Sequence, residues 1–238
     1  MISNRPNQRV AASEREAFLR FTSLADDELE WVRLESQPLG KVDFANLQGI
    51  IMCGSSDDVS APQKSVTTLK NEAALRDLLR HVLERDFPFL GVCYGLGLLV
   101  DELGGRVGYD IHEDIQASRL KVTTEGSADP LLSGLPSEFR AYVGHHESVL
   151  KTPPEAVTLV RGEVAPCQMV RVGQNVYATQ FHPELDLAGI LLRIELFADS
   201  GYFPPADRYL VEQRVKDHDV SAAHQILRNF VELAGKLR

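Results

Sequence analysis

The run Phe89-Leu90-Gly91-Val92-Cys93-Tyr94-Gly95-Leu96 passes from a continuous apolar stretch into helical spacing, with no residue left over for a loop. A run without polar alternation reads as a strand covered on both faces, and such strands belong to parallel sheets with helices on either side. Leu96, Leu98, Leu99 and Leu103 then mark a helix closed by Gly104-Gly105. The join is a sharp strand-to-helix turn with Cys93 at its apex, and Gly91 and Gly95 keep its flanks free of side chains. A second run, Gly49-Ile50-Ile51-Met52-Cys53, has the same character and ends in the polar loop Gly54-Ser55-Ser56-Asp57-Asp58.

The remaining apolar segments are short and alternate with amphipathic ones, the signature of a layered α/β domain. Leu75, Leu78, Leu79, Val82 and Leu83 trace one face of a helix that stops before Pro88. Ala17, Phe18, Phe21 and Leu24 fall at helical spacing, and Leu29, Val32 and Arg33 continue a similar register over Asp26 to Leu34. Strand signals follow at Leu120 to Thr124, Phe139 to Val143, Val157 to Arg161, Cys167 to Val172 and Asn175 to Phe181. Gly173-Gln174 between the last two is a hairpin signal. Helices around Leu187 to Phe197 and Ala222 to Leu237 close the chain, separated by the breaker Gly201-Tyr-Phe-Pro-Pro205. The expected architecture is a three-layer, doubly wound α/β fold with a mostly parallel central sheet flanked by helices. No linker divides residues 1–238, which read as a single domain with 200–238 as a C-terminal helical extension.

Lys and Arg number 25 against 34 Asp and Glu, a net charge of −9 with no Lys/Arg run. That balance speaks against nucleic acid and anionic membranes as partners. Nowhere do about 18 apolar residues run together, and Met1 to Val10 lacks an apolar signal core, so a cytoplasmic protein is expected. Three cysteines, Cys53, Cys93 and Cys167, are an odd and sparse set that argues against a disulfide framework. Each is then of interest as a thiol.

Gly91-Val92-Cys93-Tyr94-Gly95 fits the elbow that presents a nucleophile at a helix N-terminus, where the helix dipole favours a thiolate and unpaired amides can hold an oxyanion. On the pentapeptide alone, a small buried hydrophobe explains Cys93 equally well. The second piece is Gln180-Phe181-His182-Pro183-Glu184, at the end of an apolar strand. Pro183 biases His182 towards an extended conformation, so residues 182 and 184 project to the same side and the carboxylate can orient the imidazole. Cys53 and Cys167 lack such a setting and read as core.

Taken together, Gly91 to Leu99 (GVCYGLGLL) and Gln180 to Glu184 (QFHPE) resemble the two signature segments of class I, triad-type glutamine amidotransferases, a likeness extending over Gln48 to Leu185. The tail Gly201-Tyr-Phe-Pro-Pro205 resembles stand-alone members similar to the amidotransferase domain of GMP synthase. The resemblance implies a flavodoxin-like sheet, Cys93 as nucleophile, His182 as general base and acid, and Glu184 as the residue that orients it. It further implies an oxyanion hole of backbone amides from Tyr94 and the Gly54-Ser55 loop. Gly97, His145, His146 and Glu147 fall at substrate-binding positions. The substrate implied is a small γ-glutamyl compound, glutamine or a derivative, with no cofactor and no metal, and with a synthetase on a separate chain as partner.

Three departures from the family pattern stand out. Gly54-Ser55-Ser56 replaces the usual Gly-Gly-Pro, Gly97 replaces the glutamine of Cys-x-Gly-x-Gln, and Met1-Ile2-Ser3 is a stub of the usual first strand. Loss of the glutamine side chain favours a γ-glutamyl peptidase or γ-glutamyl amide hydrolase over use of free glutamine. A regulatory or binding subunit with a weakened pocket is the non-enzyme alternative. Cysteine α/β-hydrolases share the elbow but need an Asp between nucleophile and a late His, and Asp199 or Asp217 with His218 or His224 supplies no supported arrangement. The last helix, with Ile226, Leu227, Phe230, Leu233 and Leu237 on one face, either packs on the domain or forms a homodimer contact.

Overall fold

The computed structural model describes residues 1–197 and 203–237. In chain order these form β1 (Ile2–Asn4), α1 (Gln8–Thr22), β2 (Val32–Arg33), β3 (Ile50–Ser55), α2 (Val66–Arg85), β4 (Phe89–Val92), α3 (Tyr94–Glu102) and β5 (Arg106–Gly108). They continue with β6 (Glu113–Val122), α4 (Thr124–Ser127), β7 (Glu138–His145), β8 (Ser148–Lys151), β9 (Ala156–Gly162), β10 (Met169–Val172) and β11 (Val176–Thr179). Three helices follow, α5 (Leu187–Leu196), α6 (Arg208–Val215) and α7 (Ser221–Gly235).

Nine of the described strands form one sheet in the order β2-β1-β3-β4-β11-β10-β9-β6-β7. The first five are mutually parallel, and their order is that of a flavodoxin-like sheet. From β11 onward the pairings are antiparallel, so β10 and β6 run against the other seven. The fold is thus a mixed α/β sandwich whose central strands are parallel. β5 and β8 make a separate antiparallel pair.

Alternate residues of the central strands feed two cores, as a period of two dictates. Ile50, Met52 and Phe89 pack with α2 residues Leu75, Leu79 and Val82 on one side. Ile51, Cys53, Leu90 and Val92 pack with Phe18 of α1 and Ile226, Leu227 and Phe230 of α7 on the other. Ile226, Leu227 and Phe230 of the last helix's apolar stripe are therefore covered by the sheet and by α1, with Leu233 partly buried, while Leu237 at its end is exposed. A third cluster joins Ile115, Ala117 and Tyr142 to Ile190 and Ile194 of α5 and Val211 and Val215 of α6. Cys167 is buried in the first core and Cys53 in the second.

The register expected to continue as helix from Asp26 to Leu34 is broken: Asp26–Glu28 forms one 3-10 turn and Val32–Arg33 becomes the edge strand β2. Pairing of Ile2 with Val32 supplies backbone hydrogen bonds that a short helix there would forgo. β6 begins seven residues before the expected Leu120, because Glu113 onward pairs with β7. The hairpin at Gly173-Gln174 is pinned from outside: the Asp86 carboxylate accepts from the amides of Gln174 and Asn175 at 3.0 Å. Gly173 has φ +59°, and a Cβ there would lie 2.4 Å from Asp86 Oδ1, so glycine is required at that turn. Of the breaker Gly201-Tyr-Phe-Pro-Pro205, Gly201 and Tyr202 lie outside the described residues.

Candidate active site

Three neighbouring parallel strands deliver the site residues from their carboxyl ends, where open α/β sheets place ligands. β3 ends at Gly54-Ser55, β4 runs into Cys93, and β11 leads to His182. Cys93 has φ 51° and ψ −92°, a strained backbone for a residue with a side chain, and its N–H is tied to the Thr179 carbonyl at 2.6 Å. A Cβ on Gly91 would sit 3.0 Å from the Gly95 carbonyl carbon, so strand and helix can meet this closely only with glycine there. α3 starts at Tyr94, whose N–H is among those a helix start leaves without an intrahelical acceptor.

His182 and Glu184 are both buried, and His182 Nδ1 lies 2.7 Å from Glu184 Oε1. The backbone of this turn is clamped on two sides. The His182 N–H donates to the Tyr142 carbonyl of β7 at 2.9 Å, and His224 Nδ1 of α7 donates to the Pro183 carbonyl at 2.7 Å. The His224 ring stacks on Phe21 of α1 with centroids 3.6 Å apart.

Behind Glu184 lies a buried ionic network. Arg193 Nη2 of α5 donates to Glu184 Oε1 at 3.1 Å and to Glu14 Oε1 of α1 at 2.9 Å. Arg5 Nε donates to the same Glu14 oxygen at 3.2 Å. Arg193 Nη1 also lies 3.2 Å from His182 Nδ1, but a guanidinium cannot accept a proton and the carboxylate is nearer. Nδ1–H therefore belongs to Glu184, which leaves Nε2 as the basic nitrogen.

The electrostatics follow from this network. Burial lowers the His182 pKa, and the nearby positive charges of Arg193 and Arg5 add to that effect against the opposing pull of Glu184. Burial works against the Glu184 carboxylate, yet His182 and Arg193 outweigh it and hold the carboxyl well below its ordinary range. The consistent picture is an ionised Glu184 whose counter-charge is Arg193, beside a neutral imidazole. Burial pushes the Cys93 thiol up to about 12, although Arg5 and Arg193 pull the other way. Desolvation thus opposes the thiolate that the helix N-terminus favours. Gln180 Nε2 stands 3.8 Å from Sγ, a donor available to the sulfur.

Gly54 is where the pieces converge. A Cβ there would lie 2.7 Å from Arg5 Nη2, 3.1 Å from His182 Cε1 and 3.5 Å from Cys93 Cβ. β3 persists through Ser55, and the turn after it is held by Asn4, whose side-chain amide donates to Ser55 Oγ at 3.0 Å and to Asp57 Oδ2 at 2.9 Å. The backbone of Gly54-Ser55 accordingly approaches Cys93 as an extended strand end.

The substrate-binding candidates line a partly open cavity beside Cys93, together with Asp58, Tyr94 and Gln180. Glu147 spends both carboxylate oxygens on the facing loop, accepting from the Val59 amide at 2.7 Å and from the Ser60 amide and hydroxyl at 2.8 and 2.6 Å. His145 is buried with Nε2 3.0 Å from Glu113 Oε2 and Nδ1 3.0 Å from the Glu147 carbonyl. His146 is half exposed at the rim, 3.8 Å from Asp58 Oδ2. A Cβ on Gly97 would meet Val59 Cγ2 at 3.0 Å and Glu147 Oε1 at 3.4 Å, so the space beyond Gly97 is already filled.

Sequence reasoning did not single out Arg5, Glu14, Arg193 or His224 for the site. Glu14 and Arg193 are 179 residues apart, and no local pattern joins them. The one available signal was a charged residue on an otherwise apolar helix face, as at Arg193 among Ile190, Leu191 and Ile194.

The geometry agrees with what the chain is similar to. Residues 25–189 match the sequence model described as glutamine amidotransferase class-I. The chain is 36% identical over 104 residues to a GMP synthase [glutamine-hydrolyzing] of Aeropyrum pernix, which covers 44% of this chain and 20% of that protein. It thus spans about a fifth of that relative's length. A separate subunit of the glutamine-hydrolyzing GMP synthase of Pyrococcus abyssi is 27% identical over 164 residues, with 66% of this chain and 80% of that protein covered. Among solved structures, a glutamine amidotransferase from Thermotoga maritima superposes with a TM-score of 0.74 at 16% identity, covering 98% of this chain and 96% of that one. The glutamine amido transferase from Methylobacillus flagellatus gives 0.72 at 18% identity, covering 98% and 94%. With its family match over more than half its length and the site at the expected strand ends, the chain belongs to the class I glutamine amidotransferases.

Proposed function

We propose that the chain hydrolyses a γ-glutamyl amide bond through a thioester on Cys93. The observation that carries this reading is the 2.7 Å contact between His182 Nδ1 and Glu184 Oε1, which fixes a neutral imidazole on the same side of Gly54 as Cys93. His182 Nε2 takes the thiol proton as Sγ attacks the γ-carbonyl carbon. The developing oxyanion is met by the Tyr94 amide at the start of α3 and by backbone amides of Gly54-Ser55. The tetrahedral adduct collapses with cleavage of the C–N bond, and His182 delivers its proton to the departing nitrogen. Water, deprotonated by His182, then hydrolyses the thioester to release glutamate and restore the thiol.

Asp58 and His146 at the rim of the cavity offer a carboxylate to the α-ammonium and an imidazole N–H to the α-carboxylate of a glutamyl group. The name of the Pyrococcus relative, a glutamine-hydrolysing GMP synthase subunit, supports a partner synthetase on another chain that would accept the ammonia. A γ-glutamyl amide other than free glutamine is the second reading, favoured by Val59 and Glu147 filling the space beyond Gly97. The test is labelling with a glutamine-analogue diazoketone followed by peptide mapping. Stoichiometric modification of Cys93 is expected, and unmodified protein under saturating reagent would sink the proposal.

A further inference from the structure

Cys93 lines two adjoining hollows that differ in their side chains. The polar one, described above, contains His145, His146, Glu147 and Gln180. The other is a partly open hollow that shares Ser55, Cys93 and Gly144 with the first and has His182 in its lining. Its apolar lining comes from Ile115 of β6, Val143 of β7, Leu185 after the His-Pro-Glu turn, Ile190 in α5 and Phe197 at the C-cap of α5. The guanidinium groups of Arg5 and Arg193 at its base face Glu14 and Glu184 at 2.9 to 3.2 Å.

The chemistry assigns a direction to each cavity. His182 must protonate the leaving nitrogen, so that nitrogen and whatever it carries lie on the His182 side of the sulfur, while the glutamyl end lies on the other. Ammonia, the leaving group of glutamine, has no apolar surface to bury. The apolar edges that Ile115, Leu185, Ile190 and Phe197 present to the hollow beyond their core packing would then contribute nothing to its binding.

Resting on the hydrolase reading above, we infer that the second cavity is a leaving-group subsite, and that the preferred substrates are γ-glutamyl amides of apolar primary amines. The zwitterionic glutamyl end occupies the polar cavity and an alkyl or aryl N-substituent lies against Ile115, Leu185 and Ile190. The reaction balances as amide plus water giving glutamate plus the free amine, with the thiol proton passing through His182 to the amine nitrogen. The paired guanidinium groups have carboxylate partners in the protein, so an uncharged substituent suits the cavity better than an anionic one.

The full chain is assayed for glutamate release from glutamine, γ-glutamylglycine, γ-glutamylethylamide, γ-glutamylbutylamide and γ-glutamylanilide. The expected result is a kcat/KM for the butylamide or anilide above that for glutamine by about tenfold or more, the order of discrimination a few methylenes supply. Ile190→Asp is expected to lower the butylamide-to-glutamine ratio by a similar factor, and Ile190→Leu to preserve it. The wild-type series is decisive by itself should the aspartate variant fail to fold. Glutamine equal to or better than the alkylamides, or γ-glutamylglycine best of all, overturns the subsite while leaving the hydrolase reading intact. Turnover of none of the five donors overturns both.

Discussion

Arg193 donates to Oε1 of Glu184 at 3.1 Å, the same oxygen that receives the His182 Nδ1 proton at 2.7 Å. In a two-member His–carboxylate pair the carboxylate is balanced only when the imidazole is charged. Here a permanent cation does that task, so the histidine can rest neutral as a base. Arg193, Glu14, Arg5 and His224 all lie outside residues 25–189, the stretch matched by the family model. The chain's flanking segments therefore build the support on which the His182–Glu184 pair of the matched stretch rests.

Removing one partner of this buried network strands the others. Glu14 is fully buried and accepts from both Arg5 and Arg193. Glu14→Gln is expected to lower unfolding stability by about 3 kcal/mol, as breaking buried ion pairs does. Urea denaturation of the variant checks it, and a loss below about 0.5 kcal/mol, the range of ordinary surface changes, would contradict the network's role.

The pH profile carries a sign. With the His182 pKa lowered by burial, the base stays neutral below the usual histidine value of about 6.5, so the acidic limb of kcat/KM lies on the acid side of that value. Arg193→Met removes a positive charge beside the ring and is expected to move that limb to higher pH. For stability, the unfolded chain binds a proton on His182 and His224 more readily than the folded one, as burial lowers both. Stability from these groups is therefore full above about 6.5 and is lost as pH falls below it. An acidic limb unchanged in Arg193→Met would refute the electrostatic part of the account.

Gly97→Gln introduces the residue the family pattern carries, but into occupied space. Val59 Cγ2 and Glu147 Oε1 stand 3.0 and 3.4 Å from the new Cβ. The variant is expected to lose about 1–3 kcal/mol from overpacking and to show no gain in glutamine hydrolysis. A stable variant with improved kcat/KM for glutamine would show that the loop at Val59-Ser60 moves aside.

His224→Ala leaves the Pro183 carbonyl without its donor and removes the stack on Phe21. A loss of about 1–3 kcal/mol is expected from the orphaned acceptor. Because Pro183 lies between His182 and Glu184, kcat is expected to fall with KM little changed. Unaltered kcat would assign His224 to packing alone.

What was legible in the sequence depended on how local its cause is. β3 and β4 announced themselves because strands buried on both faces are apolar without interruption, and the elbow because two glycines must flank Cys93. The helix expected over Asp26 to Leu34 failed because pairing with Ile2, thirty residues earlier, decides the matter for Val32. His145 and Glu147, expected at substrate-binding positions, line the cavity beside Cys93, yet Glu113 and the Val59-Ser60 amides claim their polar atoms, and those partners lie 32 and 87 or more residues away. The support under Glu184 was invisible for the same reason: it is assembled from α1, α5 and α7, which the sheet brings together.

The most direct test of the central claim is intact-mass analysis of the acid-quenched protein during turnover of a γ-glutamyl amide. The account predicts a single γ-glutamyl adduct, mapped to Cys93, that vanishes on chasing with water and is absent from Cys93→Ala along with glutamate release. Glutamate release by Cys93→Ala at the wild-type rate, or an adduct on any other residue, would contradict it.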